Sequence, residues 1–225
     1  VGSEIGSAAT DSPLGGLGGK IPVQVWQALL ASGMPRRYVT GEALVRQGEQ
    51  GRHVLALNYG LVKVTRFESD GHEMVLAVRG RGEIIGEVTY LGDQVRSATV
   101  TAIHVCVAYI IPHSSFRRIV EEFSLSGLVL RHLITRLRES EEMRFELAIL
   151  SPRRRIARTL LRFSLGGELT LPQVDLARAV GLSRSAVALE LAWLRDHGLV
   201  ITGRGRVTIT AASGLRRLAD EADTA

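Results

Sequence analysis

The sequence predicts an α+β chain: a small β barrel or sandwich, then one long helix, then a helix-turn-helix that carries a β wing. Three observations predict it. Between about Arg36 and Pro112, short β-rich runs alternate with glycine turns at roughly ten-residue spacing, the rhythm of a compact all-β domain. From about Leu125 to Leu150 the apolar period becomes helical. Residues 174–189 then follow a helix, a tight turn at Gly181 and a second helix, with a glycine-turned hairpin after them.

Composition limits the function classes. The 225 residues, 45% of them hydrophobic, suffice for one large domain or two modest ones. No apolar run approaches the roughly 18 residues that a membrane span needs. The Gly/Ser-rich start lacks the charged-then-apolar order of a signal peptide. Cys106 is the only cysteine, which excludes an internal disulfide and cysteine-only zinc or iron–sulfur sites. These features suit a reducing cytoplasm, the expected localisation, and a chain without membrane partners.

The elements follow in order. Residues 1–20 read as a flexible tail, and residues 23–32 as a short helix closed by Gly33. Strand-like runs are Val54–Leu57, Leu61–Thr65, Met74–Val78, Ser97–Thr101 and Val105–Ile111. His113–Glu122 makes a short helix. In the long helix that follows, Leu130, Leu133, Leu137 and Leu147 take coiled-coil a/d spacing with Ile134 alongside, but Ser140 and Arg144 interrupt the seam. Such a stripe either joins two copies of the chain or covers the barrel. A helix of some 25 residues outreaches a small barrel, which favours the dimer seam. Pro152 ends this helix and makes a hinge; a helix over 153–163 and a turn at Leu165-Gly166-Gly167 follow.

The strongest local signal is the run Val174-Asp175-Leu176-Ala177-Arg178-Ala179-Val180-Gly181-Leu182-Ser183-Arg184-Ser185-Ala186-Val187-Ala188-Leu189. Pro172 suits the first turn of the first helix, Ala177 is small where two helices cross, and Gly181 permits the sharp turn. Leu176, Val180, Leu182 and Val187 form a shared core, and Ser183 caps the second helix. The front of that helix, Arg184, Ser185 and Ala188, faces base edges if the helix enters a major groove. Arg184 then forks onto guanine and Ser183 holds a phosphate. Arg204 and Arg206 at the tip of the following hairpin neutralise backbone phosphates. The alternative is a helix-turn-helix used for protein packing.

Charge points the same way. Residues 151–225 hold 12 arginines, no lysine and 7 acids, which supplies the whole formal charge of +5 and leaves residues 1–150 neutral. An arginine-rich third beside a neutral body suits double-stranded DNA, or is a solvated surface.

A second signal lies in the β region, over residues 82–99. Gly86 lets backbone amides approach an anion, Glu87 can accept from a ribose hydroxyl, Arg96 brings a fork for a phosphate, and Ser97 adds a hydroxyl and an amide. Alternatively, Glu87 and Arg96 only pair with each other. Gly80-Arg81-Gly82 lacks the spacing and βαβ setting of a dinucleotide fingerprint. No catalytic constellation stands out, so the chain reads as not an enzyme. Cys106, Trp26 and Trp193 read as packing residues, and His72 and His104 as structural histidines rather than haem ligands.

Gly86-Glu87 followed by Arg96-Ser97-Ala98, then Arg155–Leu161, then Val180-Gly181-Leu182-Ser183-Arg184, resemble the cAMP receptor protein/FNR (Crp/Fnr) family of bacterial transcription regulators over about residues 25–210. The resemblance implies an N-terminal cyclic-nucleotide-binding-type β-roll, jelly-roll-like, over residues 21–122, a dimerisation helix over 123–150 and a winged helix-turn-helix over 151–219, with a tail over 220–225. It implies that Glu87 binds the ribose hydroxyl while Gly86, Arg96 and Ser97 bind the cyclic phosphate. It also implies that Ser140 lies near the purine.

Three departures qualify the resemblance. Glu141 stands where the cAMP receptor protein has a second hydroxyl. A carboxylate there can accept from adenine's amino group or guanine's N–H edge, or repel the ligand. In the second helix, Leu189 replaces a later arginine and Glu190 an apolar residue. The four-cysteine cluster of the oxygen-sensing branch is absent.

The expectation is a homodimeric DNA-binding regulator gated by a cyclic nucleotide, cAMP or cGMP, or a similar effector, with RNA polymerase as a further partner. A regulator that binds DNA without ligand, its barrel a scaffold or protein-interaction domain, is the alternative.

Overall fold

A computed structural model gives the fold and describes residues 14–90, 92 and 95–221. These residues form two compact units. The first comprises the described residues up to Val64 together with Arg79–Leu137, and the second comprises Thr65–Val78 with the described residues from Arg138 onward. The division falls inside the long helix, whereas the sequence suggests a boundary near residue 151.

In chain order the elements are α1 (Val23–Ala31), β1 (Met34–Tyr38), β2 (Ala43–Val45), β3 (His53–Tyr59), β4 (Val62–Phe67), β5 (Glu73–Arg79), β6 (Ile84–Ile85) and the single turn α2 (Glu87–Tyr90). Then come β7 (Thr99–Ala102), β8 (Cys106–Pro112), α3 (His113–Glu122) and α4 (Ser126–Ile149). The strands make two sheets, of order β1-β8-β3-β6 and β2-β7-β4-β5. The run Val54-Leu55-Ala56-Leu57 shows why β3 is central: all four residues are buried. Successive strand residues point to opposite faces. Val54 and Ala56 join Trp26, Leu29, Phe116, Ile119 and Val129 under the helices. Leu55 and Leu57 join Tyr38, Val62, Val100 and Ala108 between the sheets.

Two sequence readings are corrected here. Of the expected 1–20 tail, residues 1–13 lie outside the described residues, but 14–20 are part of the first unit. Leu17 is buried in the helix-covered core, and the Gly15 and Gly18 amides donate to the Arg81 and Gly82 carbonyls, each at 2.8 Å. Gly33 closes α1 for a different reason than expected. A Cβ there would meet Ile111 Cγ1 at 2.7 Å and the Ile110 carbonyl at 2.9 Å, so close approach to β8 requires glycine.

The second unit holds the end of α4, then α5 (Pro152–Phe163), β9 (Glu168–Thr170), α6 (Gln173–Val180), α7 (Arg184–Asp196), β10 (Val200–Gly203), β11 (Arg206–Ile209) and α8 (Ala212–Asp220). Pro172 precedes α6 as its N-cap rather than lying in its first turn. Strands in the order β10-β11-β9 make the wing. Ile156, Leu160, Leu176, Val180, Val187, Leu191, Leu194 and Val207 form the core, while Leu182 stays half-buried. The helix α8, absent from the sequence reading, seats Leu215 and Ala219 against this core. Of the expected 220–225 tail, Asp220 ends α8 and residues 222–225 lie outside the described residues.

Along α4 the apolar stripe differs from the expected a/d seam. Leu133 packs against the core of the first unit and Leu147 is half-buried in the second. The large apolar side chains left in solvent are Leu130, Ile134, Leu137, Phe145 and Ile149. Among the described residues, no helix is long and apolar enough to cross a membrane.

Candidate ligand cassette and nucleic-acid face

In the first unit the chain turns sharply between β6 and α2. Gly86 makes this turn with φ +86°, a backbone conformation that favours glycine. Space demands it too, since a Cβ would lie 2.0 Å from Arg96 Nη1. Arg96 is 4% exposed, and its Nη2 donates to the His53 carbonyl at 2.7 Å. Its Nη1 reaches the Gly86 carbonyl at 3.5 Å. A guanidinium is thus built into the barrel wall beside the Gly86 turn, with the Gly86 carbonyl toward it. Burial, with the Arg96 charge, holds the His53 imidazole below its ordinary range.

Glu87 begins α2 and is also buried, at 8% exposure. Burial pushes its carboxyl above the usual carboxylate range. The Glu87 and Gly86 amides and the charges of Arg79 and Arg96 oppose that shift. The sequence reading missed Arg136. From the first half of α4, its Nη2 lies 2.5 Å from Glu83 Oε2 and its Nε 3.9 Å from Glu87 Oε1. The available signal was its place one helical turn before Ser140. Glu83, Glu87, Arg96 and Arg136 together make a buried group with both charges.

The structure therefore brings Gly86, Glu87 and Arg96 together. Ser97 follows with an exposed side chain. Ser140 and Glu141 are exposed on the stretch of α4 that belongs to the second unit. His72 is exposed and pairs with Asp70 at 3.0 Å, and His104 is exposed in a turn. Among the described residues, no group of three His, Cys, Asp or Glu side chains could hold a metal ion. Trp26 is buried in the core, whereas Trp193 is half-buried and stacks on His197 with ring centroids 3.6 Å apart.

In the second unit, Gly181 ends α6 in the left-handed conformation at φ +63°. Ser183 caps α7 by accepting from the Ala186 amide at 3.2 Å. The Ser185 hydroxyl lies 3.0 Å from that of Ser183, so both hydroxyls serve the cap. Arg184, Ser185, Ala188 and Leu189 share the exposed face of α7, opposite the buried Val187, Leu191 and Leu194.

The arginines that make this third of the chain basic are mostly committed to the fold. Arg155 donates to the Leu150 carbonyl at 2.9 Å and the Val180 carbonyl at 3.2 Å, satisfying the ends of two helices. Arg158 and Arg162 pair with the buried Glu146. Arg178 pairs with Glu73 at 2.8 Å and Asp175 at 3.1 Å. Arg153 holds Glu190 at 2.7 Å and lies over the Trp193 ring at 3.8 Å. Arg206 faces Glu168 at 3.6 Å, an exposed pair that a phosphate can replace. Arg184 on α7 and Arg204 in the wing turn are exposed and have no bonded acceptor among the described residues.

Comparison with known proteins matches both units. Residues 35–123 match the cyclic nucleotide-binding domain family, and residues 154–218 match the Crp-like helix-turn-helix domain family. The chain is 30% identical over 191 residues to the cyclic AMP receptor protein of Thermus thermophilus, covering 82% of this chain and 87% of that protein. It is 28% identical over 186 residues to the cAMP-activated global transcriptional regulator Vfr of Pseudomonas aeruginosa, covering 76% of this chain and 87% of that one. Among solved structures it resembles the c-di-GMP responsive global regulator CLP of Xanthomonas campestris, with TM-score 0.67 and 25% identity over 84% of this chain and all of that one.

Proposed function

The chain belongs to the Crp/Fnr family of transcription regulators, and from that premise we propose that a cyclic nucleotide held in its β-roll gates DNA binding by its winged helix-turn-helix. The observation that carries this reading is the Gly86–Glu87–Arg96 group. Arg96 gives a phosphate a rigid cationic fork, and the Gly86 turn lets amides approach it. Glu87 accepts from the ribose hydroxyls. Ser97 adds a hydroxyl at the rim. Arg136 closes the site from α4.

Two copies pair along α4, burying the stripe of Leu130, Ile134, Leu137, Phe145 and Ile149 that one chain leaves in solvent. Arg184 reads a base edge, Ser183, Ser185 and Ala188 line the groove, and Arg204 and Arg206 neutralise phosphates. The protein works in the cytoplasm and engages RNA polymerase from its operator. A ligand can switch such a protein only by binding one of its states more tightly than the other. A change from 1:99 to 99:1 needs about 5.5 kcal/mol of differential affinity.

A second reading has its own support. Arg136 pairs with both Glu83 and Glu87, so the chain's own cation serves the carboxylates of the cassette, as suits a barrel that is a scaffold. Thermal shift and calorimetry with cAMP, cGMP and c-di-GMP separate the two. A ligand at 100 times its dissociation constant adds about 2.7 kcal/mol of stability. Arg96→Ala abolishes that gain, along with ligand-stimulated binding to DNA selected from random duplexes. Equal nucleotide binding by wild type and Arg96→Ala removes the cassette assignment. No binding of any of the three leaves the scaffold reading.

A further inference from the structure

We propose that Leu189 reads thymine methyl groups in the major groove, making this regulator's operator contacts largely apolar beyond one guanine. The inference rests on α7 entering the groove. Leu189 is 70% exposed on the face of α7 that points away from the core. Ala188 and Ala192 flank it, so methyl surface runs along the helix for two turns behind Arg184. The other polar groups at the front of the helix are already engaged. The Ser183 hydroxyl accepts from the Ala186 amide, and the Ser185 hydroxyl bonds to Ser183.

The acids of α7 are neutralised as well. Glu190 is drawn to Arg153 at 2.7 Å with its side chain 15% exposed, and Asp196 pairs with Arg195 at 3.1 Å. The reading face thus offers one charged fork and a methyl-rich strip, with its carboxylates already paired. The surface approaching it must be anionic overall and apolar locally. A duplex supplies both: phosphates at the rim and, at each thymine, a C5-methyl on the groove floor that apolar side chains recognise. Leu189 lies five residues beyond Arg184, roughly 7.5 Å along the axis. That places its thymine about two base pairs from the guanine read by Arg184.

The test uses the full chain and a duplex obtained by selection from random oligonucleotides. Each thymine is replaced in turn by deoxyuridine, which removes only the methyl group. The expected result is one sensitive thymine per half-site, each substitution weakening wild-type binding about fourfold, the worth of one buried methyl group. Substitution in both half-sites weakens it about fifteenfold. Leu189→Ala binds thymine and uracil duplexes equally, and Leu189→Met restores the difference.

Salt-sensitive duplex binding in which wild type and Leu189→Ala respond identically to every deoxyuridine overturns the inference but leaves the DNA-binding reading intact. So does a Leu189→Ala chain that binds DNA normally but self-associates less in sedimentation, which would make Leu189 a protein contact. Failure of the wild type to bind any duplex overturns the groove assignment itself, and this inference with it.

Discussion

Arg136 of the long helix and Glu83 of the barrel meet at 2.5 Å, with their side chains 19% and 12% exposed. The same guanidinium lies within 3.9 Å of Glu87, so one cation serves two buried carboxylates 53 and 49 positions upstream. A pair this deep is costly to break from one side, because the remaining charge stays in a poorly hydrated place.

Arg136→Ala therefore lowers unfolding free energy by about 3 kcal/mol, the lower end of the range for a buried pair because some solvent reaches this one. Glu83→Gln keeps the shape and a hydrogen-bonding oxygen, and loses less. Urea unfolding of both variants checks the order. A loss below about 0.5 kcal/mol for Arg136→Ala, the size of a surface pair, would show that the contact does little for the fold.

How much of this was readable in advance depends on distance along the chain. The barrel, the long helix and the winged helix-turn-helix were legible because each rests on local periodicity and turn chemistry. That Gly86, Glu87 and Arg96 come together was legible because the three lie within ten residues and one glycine turn gathers them. Arg136 was not, since its partners lie about fifty residues away and periodicity says nothing of them. Which residues of α4 stay in solvent was not legible for a related reason. A heptad pattern marks apolar positions but does not say that the chain's own core takes Leu133 and leaves Ile134 in solvent. Likewise a count of arginines predicts a basic surface. It does not foresee that Arg155 is spent on helix-end carbonyls or Arg153 on Glu190.

Glu87 makes stability depend on pH in a definite direction. Burial raises its carboxyl above the ordinary value of 4.5, so the folded chain holds this proton more tightly than the unfolded chain does. The contribution is fully present below the unfolded value and is lost as pH rises through the folded one. Glu87→Gln cannot ionise and lacks this loss. The unfolding free energy of the glutamine variant, relative to wild type, should thus rise between about pH 4.5 and neutrality. A difference that is flat with pH, or falls, contradicts the assignment. By the same linkage, a ligand that needs the Glu87 carboxylate ionised displaces a proton in mildly acidic buffer. Calorimetry in two buffers of different ionisation enthalpy reads that proton directly.

Cys106 reports on the barrel itself. Its side chain is fully buried on β8, with Sγ 3.2 Å from the Leu61 carbonyl and 3.1 Å from that of His104. Burial pushes the thiol up to about 11. At pH 8 only about one thiol in a thousand is then ionised, and the thiolate is the reactive form. Iodoacetamide should leave the native protein nearly untouched and label it at the rate at which the barrel opens. Labelling should therefore accelerate with urea in step with the loss of β structure seen by circular dichroism. If native protein at pH 8 without denaturant is alkylated within minutes, Cys106 is reached by local opening of β8, and the core packed around Leu57, Val62 and Ala108 is looser than its burial implies.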